Sequence, residues 1–432
     1  MAAVAQARQT ALAARLAALA LPEGGVTRAA RAAALARVQA MGLPTRRDEY
    51  WRYTDPSSLT APAAAPAALF DAQDEAPIFA ALDRLTLVFV DGIFDPEASD
   101  PLELSGVEIA RLAEADRADL HWAQGLYGVL EAAGQNPVAR PLAALNTAAA
   151  TDGALIRVTA AAARPVHLVY EHKSKTSDVI LHHCVKIEPG ADLTLLETGP
   201  AGARFNKVME VDVAAGGRFH HVRVQGRDHD RRAATHIFAR LAAGALFKSF
   251  TLTANGVLTR NEAVIDIAGD DAVAHVAGAA LGDGSVGPFL HDDTVFITHG
   301  AERGESRQVF KKVLKHGATG VFQGKILVTP GAQKTDGYQI SQSLLLDDDC
   351  QFLAKPELEI YADDVKCSHG STTGALDDTA LFYLRSRGVA HDEAVGLLVL
   401  SFLADAIAEI ENETIQAEIV ALLEGWLARH RG

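Results

Sequence analysis

Cysteine, methionine and tryptophan occur three times each in 432 residues, and aromatic side chains make up only 6%. Three thiols, at Cys184, Cys350 and Cys367, are too few and too scattered for a disulfide framework, which points to a reducing compartment. No segment approaches the ~20 consecutive apolar residues of a membrane span. Basic side chains are in deficit as well: 40 Lys and Arg stand against 55 Asp and Glu, and the net charge of -15 argues against a broad nucleic-acid or acidic-membrane footprint. Arg15 interrupts the early apolar run, which a secretory signal does not tolerate. The expected location is cytoplasmic.

What the chain does have is apolar residue in quantity, 49%, and a length that accommodates several structural units around a substantial core. Residues 1–47 are rich in Ala and Arg, which superficially suits an organellar transit peptide. The stretch has no serine, however, and Pro22-Glu23-Gly24-Gly25 reads as the loop of a helical hairpin. TRRDEYWRYTD (45–55) then packs Tyr50, Trp51 and Tyr53 together, the pattern of a local packing anchor. Residues 60–77 are Ala/Pro-rich and read as a linker, and 85–90 as a short apolar strand closed by Asp91-Gly92. From 105 to 150 the spacing of Ile109, Leu112, Leu120, Trp122, Leu126, Leu130, Leu142 and Leu145 predicts helix.

Beyond residue 151 the period drops to two. Short alternating runs follow one another at 179–188, 192–197, 207–213, 218–225, 236–241 and 246–253, and continue through 339–345. Turns containing Gly190, Gly217 and Gly244 recur about every 27 residues, and the next step lands on Gly269-Asp270-Asp271. A repeat of this length predicts stacked coils in which each unit buries its apolar side against its neighbours. With no helix inside a repeat, the expected fold is mainly β, a parallel β-helix (β-solenoid), with helical ends; a β-sandwich is the runner-up. The division read from these changes of period is 1–150 mostly helical, 151–373 β-helix core, and 374–432 C-terminal helical domain. In the last part, ALDDTALFYLRSRG (375–388) carries Asp377 and Asp378 at its start and Arg385 and Arg387 near its end, as a helix dipole favours. The following helix is apolar nearly all round and needs more than one neighbour to bury it, so a partner subunit is expected there.

Several motifs carry chemistry on paper. Gly282-Asp283-Gly284-Ser285-Val286-Gly287 matches the dinucleotide fingerprint in letters, but Pro288 follows where a helix must open. Gly320 and Gly324-Lys325 echo a phosphate loop with the wrong spacing, and Ile326 stands in place of Ser or Thr, so no nucleotide is expected on this chain. His182 and Cys184 share a strand face, and a neighbouring strand bringing a third ligand is one reading; a packed cysteine beside a surface histidine is the other. Cys350 after Asp347-Asp348-Asp349 is either a thiol ligand or a loop cysteine. Seven acids between 347 and 364 read as a solvated face, and Lys311-Lys312 with Lys315 as a charged edge strand. In KPELEIYADDVKCSHG (355–370), alternation places Cys367 and His369 on one side of a strand. A thiolate and an imidazole suit iron or zinc, yet two ligands do not close a site. Either the pair is incidental, or something outside this chain completes it.

KPELEIYADDVKCSHG, the LFYLRSRG that follows it, TRRDEYWRYTD and the ALNTAAATDG ending at Gly153 together resemble the SufB/SufD family of iron–sulfur cluster assembly proteins. The resemblance spans nearly the whole chain. It leans to the SufD branch, because Tyr338-Gln339-Ile340-Ser341-Gln342-Ser343 lacks the thiol of the SufB-type Asn-x-x-Gln-Cys-Asp-Ser stretch. The resemblance implies a right-handed parallel β-helix between helical domains and a non-enzymatic scaffold role. It implies pairing with a SufB subunit through the β-helix and binding of a SufC ATPase through the C-terminal helices, with a homodimer as a further assembly. It also implies a transient iron–sulfur cluster formed with SufB, to which His369, and less firmly Cys367, contributes as a metal ligand. The alternatives are a purely structural subunit without metal ligation and a carbohydrate-active β-helix enzyme.

Overall fold

The alternating stretches fold as strands because each places β-branched and aromatic residues on one side and polar residues on the other. The computed structural model describes residues 2–69, 77–118, 120–226 and 230–429. Helices α1 (Ala2–Ala17) and α2 (Arg28–Met41) form the expected hairpin, followed by the single turn α3 (Ser57–Thr60). The strands β1 (Leu85–Val90), β2 (Ile93–Asp95), β3 (Glu103–Leu104) and β4 (Val107–Arg111) come next, then the helices α4 (Leu112–Ala115), α5 (Val129–Ala133) and α6 (Pro141–Ala149). Ile109, assigned to helix by spacing, therefore sits in a strand: β4 pairs antiparallel with the first core strand, and that partner overrides the local pattern. The last part of the Ala/Pro-rich stretch, 70–76, lies outside the described residues; before it, the Ala67 N–H bonds to the Lys175 carbonyl.

The core alternates between two walls. In chain order its strands are β5 (Ala154–Val158), β6 (Val166–Glu171), β7 (Asp178–Ile187), β8 (Asp192–Thr198), β9 (Arg204–Val213), β10 (Arg218–Gln225), β11 (Arg232–Leu241) and β12 (Leu246–Ala254). They continue as β13 (Leu258–Ile267), β14 (Val273–Asp283), β15 (Leu290–His299), β16 (Glu305–Lys315), β17 (Thr319–Val328), β18 (Asp336–Leu345), β19 (Gln351–Ile360) and β20 (Lys366–Gly374). Even-numbered strands stack in parallel into one 10-stranded sheet with β1 and β2, and odd-numbered strands into a second with β3 and β4. This is the expected β-helix, flattened to two sheets.

The repeat has a backbone cause. At one corner of each coil a residue takes positive φ: Gly190, Gly216, Gly244, Asp271, Arg303 and Lys334. Each donates its N–H to a carbonyl of the next coil's corner, from Gly190 to Ala215 at 3.1 Å through to Lys334, which reaches Asp364. The left-handed glycine of the second coil is thus Gly216 rather than Gly217. Later coils are longer, and non-glycine residues hold their corners, which is why the glycine spacing fades beyond residue 271.

Each sheet has one face toward the lumen and one toward helices. The lumen carries the main apolar cluster, including Leu193, Phe205, Phe219, Phe247, Phe310 and Phe322. The N-terminal helices cover the outer face of the odd sheet, where Leu142, Leu145 and Trp51 pack with Ala234 and Leu258. Tyr50, Trp51 and their neighbours act as the packing anchor: the Arg260 guanidinium lies 4.3 Å over the Trp51 ring, and the Tyr50 hydroxyl bonds to Glu357 at 2.6 Å. At the other end come α7 (Asp378–Ser386), α8 (His391–Ile407) and α9 (Glu413–Arg429). Asp377 caps α7 by accepting from the Thr379 and Ala380 N–H groups. Val399, Leu403, Ile419 and Leu423 of α8 and α9 pack on Val222, Phe250, Val309 and Val313 of the even sheet's outer face. The sheet and α9 bury one side of the apolar α8, through Val399, Leu403 and Ala406, and leave Leu397 46% exposed on the other.

Candidate metal-ligating end of the solenoid

The two walls end together. Among the described residues β19 pairs only with β17 and β20 only with β18, so both sheets finish at an unpaired parallel edge on the same end of the solenoid. The opposite edges are the two- and three-residue strands β3 and β2, which are too short to template much pairing. β20 lies in register with β18, setting Cys367 beside Gly337 and His369 beside Gln339. Gly337, Gln339, Ser341 and Ser343 are the buried, lumen-facing residues of β18, so Cys367 and His369 both face the lumen of the last coil. The period-two reading of this pair holds.

The two side chains differ in setting. Cys367 is half-buried in a small cluster with Ile326, Val328, Ala332 and Ala362. Burial pushes its thiol above the usual range, the Gly337 N–H partly offsets that, and the charge of Asp336 adds to it. His369 is exposed at the rim. Among the described residues, neither belongs to a group of three metal-binding side chains in this chain. One thiol and one imidazole are donors that fit part of a metal or cluster site and do not close one.

Below the rim the lumen is polar. Ser341 and Ser371 face each other at 2.9 Å, and Gln339, Gln308 and Ser343 are buried. Deeper still, Glu197 accepts from the Tyr170 hydroxyl at 2.8 Å, lies 2.7 Å from His221 Nε2 and forms an ion pair with Lys207. Burial alone raises the Glu197 carboxyl, but Lys207, His221 and Arg223 hold it well below its ordinary value. No local sequence signal marks this group, since its members come from different coils; only the strand register brings them together.

The other sequence candidates fall elsewhere. His182 and Cys184 do share a face with a third group, Glu210 of the adjacent strand, their ligand atoms within 4.8 Å of one another. They lie under the N-terminal helices and are fully buried, so His182 is no surface histidine. Glu210 is already committed: it accepts the N–H groups of Gly128, Leu130 and Glu131 and lies 2.8 Å from His182 Nε2. It anchors the cover to the sheet. Burial, with the Glu210 charge, lifts the Cys184 thiol far above its ordinary range. Asp347 and Asp349 beside Cys350 accept the His316 and Gly317 N–H groups, holding a corner in place.

Lys311 and Lys312 do not protect an edge, because β16 is an interior strand with neighbours on both sides. Lys312 points into the lumen and pairs with Asp293 at 2.6 Å, while Lys311 points outward to Asp405 of α8 at 2.9 Å. The acidic window is partly engaged, since Glu357 and Glu359 pair with Lys355 and Lys325. Gly282 and Asp283 lie at the end of strand β14 and no helix follows before β15, as expected for a chance fingerprint. Gly324 owes its identity to packing rather than phosphate: a Cβ there would lie 1.8 Å from Gln339 Nε2.

Comparison with known proteins finds relatives over nearly the whole chain. Residues 170–402 match the family model described as SUF system FeS cluster assembly, SufBD core domain, and residues 14–167 match the SufBD protein N-terminal region. The chain is 29% identical over 393 residues to the iron–sulfur cluster assembly protein SufD of Escherichia coli, covering 88% of each. It is 28% identical to an iron–sulfur cluster assembly SufBD family protein of Synechocystis, covering 87% of this chain and 86% of the other. A Bacillus subtilis SufD matches at 27% over 66% of each chain. With its core model covering more than half of the sequence and its N-terminal model most of the rest, the chain belongs to the SufB/SufD family of the SUF iron–sulfur cluster assembly system.

Proposed function

We propose that this chain is a non-enzymatic scaffold subunit that pairs end to end with a SufB-type solenoid and carries a SufC-type ATPase on its C-terminal helices. In this reading residues 1–150 cover one wall, 151–373 form the pairing solenoid, and 374–432 form the ATPase arm. The observation that carries it is the coincidence of two unpaired sheet edges with a lumen-facing imidazole, His369, that finds no third ligand among the described residues. A parallel edge of nine or ten residues is a template for another chain. A partner docked there would enclose His369 and supply the missing thiolate ligands. The nascent cluster is the cargo of this site and is built from iron and sulfide at the joint.

The arm is suited to transmit force. α8 is tied to β16 by Lys311–Asp405, and the loop before α9 is tied to the same wall by Glu409–His275 and Glu411–Lys248, both at 2.8 Å. β16 is two strands from the free edge. Closure of the ATPase on nucleotide would pull the helices, strain that wall and open the joint to iron and sulfide, a two-state element biased by nucleotide. Three free thiols suit the reducing cytoplasm. In the described residues no helix is long and apolar enough to cross a membrane. For Cys367 a packing role competes with ligation, because its thiol is half-buried among aliphatic groups.

Family membership favours this reading over a carbohydrate-active β-helix. Its test is co-expression with SufB-type and SufC-type partners followed by anaerobic reconstitution. A stoichiometric complex that assembles a cluster dependent on this subunit is expected; cluster assembly of equal yield without it contradicts the proposal.

A further inference from the structure

Gln339 is fully buried, at 0% exposure, and neither its Oε1 nor its Nε2 has a hydrogen-bond partner among the described residues. An orphaned carboxamide costs stability, so its presence asks for a ligand. It is not alone. The Gln308 Oε1 and Ser343 Oγ, on the lumen face of the same two coils, are also buried and unpartnered. Room has been kept for them: a Cβ at Gly324 would lie 1.8 Å from Gln339 Nε2 and 2.8 Å from Gln308 Oε1.

Register places this polar layer directly below the rim. Gln339 is the in-register neighbour of His369 on the same face. Adjacent strands stand ~4.8 Å apart, close enough for one ion to bridge two side chains with metal–ligand bonds of ~2.1 Å. An imidazole nitrogen with neutral carboxamide oxygens suits a divalent first-row ion such as Fe(II), Mn(II) or Co(II) rather than soft Cu(I). Because the set is neutral, the ion it holds stays exchangeable.

Resting on the reading of His369 given above, we infer that Gln339 is a second donor of this chain, holding ferrous iron against His369 before sulfide arrives. Gln308 and Ser343 order the water that completes the ion's shell on the lumen side. The chain's share of the joint is then an entry site for the metal, distinct in role from the thiolates of the partner.

The test is an anaerobic titration of Co(II), as a spectroscopic probe, into the complex of the full chain with its SufB-type partner. Variants Gln339→Met, Gln339→Glu and His369→Ala are compared, with native folding checked by near-UV circular dichroism. Gln339→Met is expected to weaken Co(II) binding about 10-fold and to change its d–d spectrum, Gln339→Glu to tighten it, and His369→Ala to abolish it. If His369→Ala abolishes binding while both Gln339 variants leave affinity and spectrum unchanged, the lumen layer holds ordered water only and Gln339 is no ligand, with the His369 reading intact. If His369→Ala changes nothing, the His369 reading fails and the shared site fails with it. If Gln339→Met does not fold, the Gln339→Glu result decides.

Discussion

Gln339 occupies the space that a side chain at residue 324 would fill. Gly324→Ala must therefore displace that carboxamide, and an overpacked lumen costs about 1–3 kcal/mol. Gln339→Ala in the same chain vacates the space. Urea denaturation of the four members of this double-mutant cycle is expected to show a coupling of at least about 1 kcal/mol, with the pair more stable than Gly324→Ala alone. Simple additivity would mean the two residues do not meet.

Histidines buried in and around the solenoid set its acid sensitivity. Burial takes His183 down to about 3 and His236 and His299 down to about 4. The folded state keeps them neutral, whereas the unfolded chain takes up protons below about 6.5, so stability falls as pH drops from that value toward the folded pKa values. Each contributes a loss of roughly 2 kcal/mol by pH ~5. Glu262, which burial would raise but Arg140 and Arg260 hold down to about 2, adds a loss in the same direction below the ordinary carboxylate range. Denaturation midpoints at pH 7.5, 6 and 5 should decline, and His299→Gln should flatten the slope. A midpoint that rises on acidification is the contrary result.

Glu210 clamps the N-terminal cover onto the odd sheet through three backbone N–H groups and His182. Glu210→Ala leaves those donors buried without acceptors and is expected to destabilise by about 3 kcal/mol or more. The same burial shields Cys184. A disulfide reagent on the native protein should label Cys367 first and leave Cys184 unmodified until global unfolding, read by peptide mass mapping. Labelling of Cys184 at the rate of Cys367 would show that the cover is not seated as described.

The C-terminal helices, proposed above to carry the ATPase, offer a cleaner separation of binding from folding. α7 has no buried residue, and Phe382 is 74% exposed with Tyr383 beside it at 54%. Phe382→Ala should change stability by no more than about 0.5 kcal/mol yet weaken the SufC-type partner at least about 10-fold by calorimetry. Unchanged affinity would place that partner elsewhere on the chain.

Much of this could be read from residue order, for a physical reason. Period two, the change to helical spacing after residue 374, and the corner glycines at 190 and 244 are all local properties of a strand or a turn. Cys367 and His369 were placed on one face by the same local rule. What escaped depends on which strand stacks on which. Glu210 beside His182, Glu197 beside Lys207 and His221, and Gln339 beside His369 meet only through inter-coil register. Lys311-Lys312 misled because paired lysines usually guard an edge, whereas here alternation sends one into the lumen to Asp293 and the other out to α8. Helical spacing over 105–150 misleads at Val107–Arg111, whose pairing partner lies some fifty residues away in sequence.

The central claim, that His369 is this subunit's share of a cluster site at the joint, is tested most directly by His369→Ala in the reconstituted three-subunit complex. Mössbauer spectra of anaerobically loaded 57Fe would report the cluster, and size-exclusion light scattering the assembly. The account predicts an intact complex with the cluster signal lost or reduced at least about 10-fold. An intact complex that assembles the cluster at the normal rate and yield would contradict it.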